Sequence, residues 1–461
     1  MKILRKQTQQ AGSVLLMALV ITSVIGVLLA AYLTLIKVQN QSVMRSQSWN
    51  AAIPIIEAGI EDALTHLSKH GKTNVNCDFW QPSGSGYVKE QPVGEDGYYN
   101  AYIYNYVPGD TNYQNPIIES RGFIRPPVMV AGAAGARGPL IAGLSMPFQP
   151  NGLIGRGVKA TCRVDPLFAK GMVALGLIDM NGNNVVTDSF NSLTTNNVNG
   201  RYAPSVALGH GDVATDSNLV NVAGATIHGG VATGPGGTVS VKNGVVTGPI
   251  TDDMNIDFPE AELPFDAGTA GVKFTADGTK TTINGTNYTQ IYSGGNYKIS
   301  PASQFQLSGK ETVLIQGTVT IWFPQDFSIS GGGGFVLERG AHLIIYAGAD
   351  SSVSGNGIGN TGDPTECVIY GLPTCSRIAV SGNGEFCGLI YAPNSDLTLG
   401  GGGNSNYAFT GASVSKSAKL GGNVSFYYDE AIRMRGPIRG FVLTSWNEMD
   451  PVDVRKVPVA N

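Results

Sequence analysis

The sequence has few charged residues for its length. Asp, Glu, Lys and Arg make up 14% of its 461 residues, against roughly 25% in an ordinary soluble domain. The formal net charge is only −4, and no basic run or stripe occurs beyond Lys6. Surfaces that bind nucleic acid need clustered Lys and Arg. We therefore expect no nucleic-acid partner, and the high glycine content, 62 residues, indicates a turn-rich exterior protein instead.

Histidine and cysteine, which supply most metal ligands and many nucleophiles, are also scarce. The chain has five of each. No histidine stands in a pattern typical of a metal site, and no Cys-x-x-Cys pair with a nearby histidine occurs, so zinc is discounted. No Ser/His/Asp arrangement and no phosphate-cradling glycine loop is found either. We therefore expect no metal, no cofactor and no catalytic site.

One long hydrophobic run is present, and it lies near the start. Residues 13–36 are uncharged and largely apolar, and no charge occurs between Lys6 and Lys37. Such a run is long enough to cross a bilayer as a helix. The basic residues Lys2 and Arg5 precede it, and cationic flanks stay in the cytoplasm. We predict a single-pass helix in the cytoplasmic membrane, with most of the chain periplasmic or extracellular.

The helix should continue into the aqueous phase. Apolar residues recur at positions 56, 60, 63, 64 and 67, which is the spacing of one helical face. Pro54 should kink this helix, and Gly71 should end it. A cleaved secretory signal has a shorter apolar part and a small-residue junction after it. Here the junction Ala11-Gly12-Ser13 comes before the apolar run.

These features resemble the N-terminal segment of type IV pilin-like proteins, closest to the PilX-type minor pilins. The basic leader ending in Gly12 and the block Glu57-Ala58-Gly59-Ile60-Glu61 carry the resemblance. It implies cleavage between Gly12 and Ser13 by a prepilin peptidase, and packing of the apolar helix among other subunits in a filament. Major pilins carry Glu at the fifth mature position, where this chain has Met17. That departure favours an accessory, initiating or tip subunit. An ordinary single-pass anchor remains the alternative.

The cysteines would lie outside the cytoplasm, where disulfides can form. Cys367 and Cys375 flank a short turn and are the first candidate pair. Cys77 and Cys162 are the second candidate pair. The odd count leaves at least one thiol free.

A small α+β region should follow the helix. Its strand candidates, rich in β-branched and aromatic residues, are 98–107, 117–124, 127–131 and 158–164. Residues 132–152, rich in Gly, Ala and Pro, are expected to form a long loop. One long helix with several such strands would build a pilin-like head.

From about residue 172 the sequence changes to short β-branched runs, each closed by Gly, Asn or Asp. Examples are 225–231, 311–321 and 342–346. Short strands at short, irregular intervals are typical of a parallel β-solenoid, in which glycines turn with positive φ. A β-sandwich is the alternative, but its strands are usually longer and joined by hairpins. We predict a mainly β protein with a right-handed parallel β-solenoid (β-helix) behind the N-terminal helix.

The second half of the chain resembles an uncharacterised bacterial β-helix domain that is commonly found behind PilX-like N-termini. The resemblance extends from about residue 174 to residue 446. It is carried by Gly388-Leu389-Ile390-Tyr391-Ala392-Pro393-Asn394, by Leu397-Thr398-Leu399-Gly400-Gly401-Gly402 and by Phe426-Tyr427-Tyr428-Asp429-Glu430-Ala431. That family has no established activity. The resemblance therefore implies a fold and a surface location, and no mechanism.

The predicted organisation has five parts. They are a leader (1–12), a transmembrane and amphipathic helix (13–70), a pilin-like α+β region with loops (71–171), a β-solenoid (172–432) with an exposed acidic excursion near 251–293, and a C-terminal strand and tail (433–461). The last strand would either cap the solenoid or pair with the sheet of the head.

Together these predictions describe an accessory or tip subunit of a type IV pilus-like or type II secretion filament, and no enzyme. Its partners would be a prepilin peptidase, other pilin-like subunits and the lipid bilayer. The first alternative is a membrane-anchored, adhesin-like β-helix without a filament, which binds envelope or host glycans through exposed rows of Tyr and Asn. The second alternative is a carbohydrate-active β-helix enzyme, whose acids would be Asp396 and Asp429.

Overall fold

The chain folds into two compact units. The computed structural model describes residues 11–70, 77–106, 115–125, 153–182, 184–197, 200–217, 219–266, 271–272, 281–283, 285–300, 305–354, 357–382, 385–401 and 407–458. The N-terminal unit consists of Met1–Val164 and Gly440–Asn461, and the solenoid unit consists of Asp165–Arg439. In the chain, the solenoid unit is therefore an insertion within the N-terminal unit.

The N-terminal unit combines one long helix with one sheet. Helix α1 (Ala11–His70) is continuous through Pro54 and ends one residue before Gly71. The sheet has the order β1-β2-β3-β4-β5-β32. Its strands are β1 (Gln81–Ser83), β2 (Gly86–Val93), β3 (Gly97–Tyr104), β4 (Ile117–Ile124), β5 (Ile154–Pro166) and β32 (Ile438–Glu448), followed by the short helix α3 (Pro451–Val454). The last strand thus pairs with the head sheet, one of the two options that the sequence left open.

Three expected features of this unit fall on residues that the structure does not describe. They are most of the leader (residues 1–10), the strand candidate 127–131 and the loop 132–152. The candidate 117–124 has the bounds of β4, while 98–107 and 158–164 largely fall within β3 and β5.

The C-terminal half of α1 packs on β3 and β4. Its buried face includes Ile56, Ile60 and Leu67, each at most 1% exposed. The inward-facing residues Ala101 and Ile103 of β3 are fully buried, since alternate side chains of a strand point to the same face. This packing buries the apolar stripe of the helix, and a helix stripe against one sheet face is a stable two-layer arrangement.

The solenoid unit is built of short parallel strands. They are β6 (Met172–Ala174), β7 (Ile178–Met180), β8 (Val186–Phe190), β9 (Val213–Thr215), β10 (Leu219–Val222), β11 (Thr226–Ile227), β12 (Val231–Ala232), β13 (Thr238–Val241), β14 (Val245–Val246), β15 (Ile250–Thr251), β16 (Gly271–Val272), β19 (Gln290–Ile299), β20 (Phe305–Leu307), β21 (Thr312–Phe323), β22 (Phe327–Ile329), β23 (Gly334–Leu337), β24 (His342–Ala347), β25 (Ser351–Val353), β26 (Ile358–Gly359), β27 (Cys367–Gly371), β28 (Arg377–Gly382), β29 (Glu385–Gly401), β30 (Tyr407–Gly421) and β31 (Val424–Asp429). A separate hairpin consists of β17 (Thr281–Ile283) and β18 (Thr286–Tyr288), and helix α2 (Ile432–Arg435) follows β31. The mainly β fold with a parallel solenoid, here of about eight turns, is confirmed.

Alternating side chains create the solenoid interior. In β24, Leu343 and Ile345 point into the core, and Tyr346 points to the opposite face. Parallel pairing in register places equivalent residues of successive coils on top of one another. Phe386, Phe409 and Phe426 therefore stack, with ring centroids 5.1 Å and 4.7 Å apart. Such ladders provide a continuous apolar core along the stack.

The coils are not stacked in chain order. Strand β30 pairs in parallel with β6 and β7, and β31 pairs with β8. The last coils of the unit therefore lie directly against its first coils. From β6 the stack continues through β9 and β12 to β15 in one direction. From β30 it continues through β29, β27, β24, β21 and β19 to β16 in the other.

Because β15 and β16 are consecutive in the chain but lie at opposite ends of the stack, the chain has to cross the stack between them. We call residues 252–266 the crossing segment. The Met254 N–H donates to the Thr233 carbonyl (3.0 Å) beside β12. Farther along, the Phe265 ring lies 6.3 Å from the ring of Trp322 in β21. The crossing segment thus runs along the outer face of the solenoid.

The predicted acidic excursion is exposed on only one side in this segment. Asp252, Asp253 and Glu260 are exposed as expected, but Met254 and Phe258 are at least 92% buried. The apolar residues alternate with the acids, so that one side of the segment packs on the solenoid while the other faces solvent. Burial of apolar surface against the outer face explains why an acidic, proline-containing segment lies on the solenoid.

Candidate functional site

The first half of α1 is an exposed apolar surface. The helix contains the one candidate membrane span of the described residues, with a mean hydropathy of 2.8 over its most apolar 18-residue window and no buried residue in that window. Leu16, Leu19 and Val27 are each at least 67% exposed. A helix so apolar and so exposed needs an apolar environment. It is compatible with a single-pass membrane anchor.

The predicted processing junction lies at the start of this helix. Gly12 and Ser13 belong to the first turn of α1. Met17, at the position where major pilins carry Glu, is 67% exposed on the helix. Cleavage between Gly12 and Ser13 stays a prediction.

The block Glu57-Ala58-Gly59-Ile60-Glu61 has a clear structural role. A Cβ at Gly59 would clash with the Ser120 Oγ and lie 3.1 Å from the Tyr99 ring, so a side chain here would have to displace the Ser120 hydroxyl and would crowd Tyr99 where α1 meets β3 and β4. One turn on, the Tyr99 hydroxyl donates to Asp62 Oδ2 (2.8 Å), and Lys89 Nζ lies 2.8 Å from the same oxygen. Burial and the carboxylate of Asp62 raise the pKa of Tyr99. Gly59 and Asp62 thus hold this part of the helix against the sheet.

The disulfide candidates lie in different environments. Cys162, Cys367, Cys375 and Cys387 are buried thiols. Burial raises the pKa of Cys162 and of Cys367 to about 12, and the Cys375 Sγ donates to the Arg377 carbonyl at 3.6 Å. Both pairings, Cys367 with Cys375 and Cys77 with Cys162, stay predictions.

The two acids of the enzyme alternative serve as hydrogen-bond acceptors. Asp429 is buried, and its Oδ1 accepts from the backbone N–H groups of Ser192 (2.9 Å) and Ala431 (3.1 Å). Burial raises the pKa of Asp429. Asp396 is exposed and accepts from the Ser417 hydroxyl at 2.6 Å. Each carboxylate thus has a local structural role.

An aromatic row follows the outer face of the solenoid. Trp322, Tyr346, Tyr370 and Tyr391 occupy equivalent positions in β21, β24, β27 and β29. Tyr346 and Tyr391 are buried, and burial raises the pKa of each to about 12. The Tyr391 hydroxyl donates to the Pro259 carbonyl of the crossing segment at 2.5 Å. Tyr346 and Tyr391 are thus covered by the protein, whereas Trp322 and Tyr370 are half-buried.

The structure brings together four potential metal ligands that the sequence did not link to a metal site. One ligand atom from each of His66, His70, Cys77 and Asp78 lies within 4.8 Å of the others. His70 Nε2 donates to Asp78 Oδ2 at 2.8 Å, and this hydrogen bond holds the pKa of Asp78 below its usual value. The sequence predicted no metal site because its histidines and cysteines form no metal-binding pattern, yet two histidines and a cysteine are neighbours in space. The spacing of four residues between two histidines on a predicted helix was the available signal.

Part of the solenoid unit is similar to a known protein family. Residues 304–435, within the solenoid unit, match a family described as a domain of unknown function (DUF7305). No curated protein matches the chain.

Two solved structures are similar to the chain at low identity. The competence-associated pilin ComZ from Thermus thermophilus has 13% identity and a TM-score of 0.34, over 87% of this chain and 98% of that one. An ice binding protein from an Antarctic bacterium, Flavobacteriaceae, has 10% identity and a TM-score of 0.20, over 56% of this chain and 96% of that one.

Proposed function

We propose that this protein is an accessory or tip subunit of a type IV pilus-like or type II secretion filament, and that it displays the β-solenoid outside the cytoplasmic membrane. The observation that carries the proposal is the division of α1 into an exposed apolar half and a half docked on a sheet. The first half is suited to the membrane and to a bundle of like helices. The second half joins that helix rigidly to a folded head through the close contact at Gly59.

Two sequence features support the proposed processing and role. Gly12 ends a basic leader directly before the apolar run, as a prepilin peptidase would require. Met17 lacks the carboxylate that is thought to pair with the terminal amine of a neighbouring subunit in major pilins. A subunit without this group suits the tip or the start of a filament better than the repeating shaft.

The mature N-terminus provides the decisive test. The full chain would be produced with and without a prepilin peptidase, and its N-terminal peptide identified by mass spectrometry. We expect a chain that begins at Ser13 only when the peptidase is present, and none when Gly12→Ala is introduced. The control Gly26→Ala, at a helix position with nothing within 4 Å of the added Cβ, should be processed normally. An intact Met1 in the mature envelope protein would contradict the proposal.

Filament entry is tested separately. We expect the processed chain in sheared filaments at a low ratio to the major subunit, and its loss from them in the Gly12→Ala variant. Absence of the parent chain from filaments, together with glycan binding that Gly12→Ala leaves unchanged, would favour the membrane-anchored, adhesin-like alternative. Recovery in filaments irrespective of Gly12 would contradict the processing step.

A further inference from the structure

Four metal-binding side chains converge where α1 ends. His66 and His70 are one helical turn apart, and Cys77 and Asp78 follow the helix in the chain. Their ligand atoms lie within 4.8 Å of one another. His66 is 4% exposed, whereas the Asp78 side chain is 53% exposed. The cluster therefore has a buried side and an open side through which an ion can enter.

Local packing explains this convergence. Residues four apart on a helix lie on the same face, which places both imidazoles side by side with ring centroids 5.2 Å apart. The buried Trp80 stacks on His66 at 5.1 Å with an interplanar angle of 21°. Between Cys77 and Trp80, the backbone turns through left-handed conformations at Asp78 (φ 52°) and Phe79 (φ 68°). The tryptophan thus anchors the returning chain against the histidine face.

The donor set selects the class of metal. Two imidazoles, one thiolate and one carboxylate suit Zn²⁺ and related borderline transition ions, whereas Ca²⁺ and Mg²⁺ prefer all-oxygen sites. Tetrahedral zinc with bonds of 2.0–2.3 Å holds its ligand atoms about 3.3–3.8 Å apart. His70 Nε2 and Asp78 Oδ2 are 2.8 Å apart, and His66 Nδ1 and Asp78 Oδ2 are 4.0 Å apart. The first distance is shorter and the second longer than the ligand spacing of tetrahedral zinc. Shifts of about 1 Å or less would therefore bring both pairs of atoms to that spacing.

We propose that His66, His70, Cys77 and Asp78 form a mononuclear tetrahedral site for Zn²⁺ or a similar divalent transition ion. The ion would join the end of α1 to the start of the sheet in the N-terminal unit. Lys69 Nζ lies 3.9 Å from Asp78 Oδ2 in the present arrangement, and its side chain is 67% exposed. The lysine can therefore swing into solvent when an ion takes its place. A Cys77 thiolate bound to metal cannot also form the Cys77–Cys162 disulfide.

Co²⁺ serves as the spectroscopic probe. The full chain in detergent, reduced and stripped with a chelator, would be titrated with Co²⁺ and then with Zn²⁺. We expect binding of one Co²⁺ per chain, with a thiolate-to-metal charge-transfer absorption and the visible bands of tetrahedral cobalt. Zn²⁺ should displace it and raise the temperature of unfolding, because an ion that binds only the folded state stabilises that state.

Variants distinguish ligands from neighbours. His70→Gln and Asp78→Asn should weaken Co²⁺ binding at least tenfold. Cys77→His should keep an ion but lose the charge-transfer band, which simple unfolding would not produce. His342→Ala, at an exposed histidine of the solenoid, and Lys69→Ala should bind as the parent does. Binding that is unchanged in the double variant His66→Ala/His70→Ala, or a Cys77–Cys162 disulfide in protein isolated from the envelope, would overturn the proposal.

Discussion

Ser413 and Ser415 place two hydroxyl groups inside the solenoid, opposite Met172 and Ala174. Both residues are fully buried, and neither Oγ has a hydrogen-bond partner among the described residues. A buried polar group without a partner costs about 1–3 kcal/mol. We expect Ser413→Ala and Ser415→Ala each to raise the free energy of unfolding by about 1 kcal/mol, as measured by denaturant unfolding of the full chain in detergent.

Ser395 provides the matched control. It is also fully buried, but its hydroxyl donates to the Cys375 carbonyl at 2.7 Å. Ser395→Ala should therefore lower the free energy of unfolding by about 1 kcal/mol. Similar losses in all three variants would show that the first two hydroxyls have partners after all.

Asp429 makes the stability of the solenoid pH-dependent. Burial raises its pKa in the folded state, so the folded chain holds a proton at pH values where the unfolded chain has released it. The free energy of unfolding therefore falls as the pH rises from about 3.9, the pKa of an aspartate in the unfolded chain, through the higher pKa of Asp429 in the folded chain. We expect Asp429→Asn, whose carbonyl can still accept from Ser192 and Ala431, to remove this fall in unfolding curves recorded at several pH values.

Asp429→Ala separates the charge from the hydrogen bonds. It removes the acceptor of two backbone N–H groups, and should destabilise the fold by about 1–3 kcal/mol at every pH. If Asp429→Asn retains the same pH dependence as the parent, another group is responsible.

At the scale of elements, the docking of α1 on the sheet depends on Gly59. Any larger residue meets Ser120 and Tyr99, and overpacking of a core contact costs about 1–3 kcal/mol. We expect Gly59→Val to lower the thermal stability of the full chain in detergent. Gly26→Val, where the added Cβ has nothing within 4 Å, should leave it nearly unchanged. Equal unfolding temperatures for the two variants would contradict the close contact.

The spacing of apolar and β-branched residues predicted those helices and strands that depend on residues close together in the chain. The 3.6-residue spacing predicted that α1 continues beyond its apolar run, and the pattern of 117–124 predicted β4. Short β-branched runs predicted the solenoid. The pairing of β30 with β6 joins Ser413 to Met172, and no local signal encodes contacts between residues so far apart. The burial of Met254 and Phe258 was missed because the surrounding acids and prolines dominate the local pattern.

At the scale of the whole molecule, the solenoid unit should respond as one stack across the contact between its last and first coils, where β31 pairs with β8. Phe409 is fully buried between two stacked phenylalanines, and Phe409→Ala should cost about 3–5 kcal/mol. Each coil of a solenoid is stabilised by its contacts with the neighbouring coils, so this loss of stability should also destabilise those coils. We expect faster amide hydrogen exchange both in β29 and in β8. Strand β8 lies two strands away from Phe409 in the stack, beyond β31, although it comes about 220 residues earlier in the chain.

Phe79→Ala, at a phenylalanine that is 88% exposed, is the control and should leave exchange in the solenoid unchanged. Faster exchange in β29 with no change in β8 would mean that the first and last coils behave as independent bodies.

Because the solenoid unit is inserted into the N-terminal unit, it can be exchanged as a whole during evolution. Its two ends lie side by side, because the Leu167 N–H donates to the Pro437 carbonyl at 2.9 Å and Arg439 pairs with Asp165 at 3.1 Å. The six strands of the sheet in the N-terminal unit flank this insertion in the chain: β1 to β5 come before it and β32 comes after it. Recombination near residues 165 and 439 would therefore replace the solenoid unit and leave the helix and the sheet of the N-terminal unit unchanged.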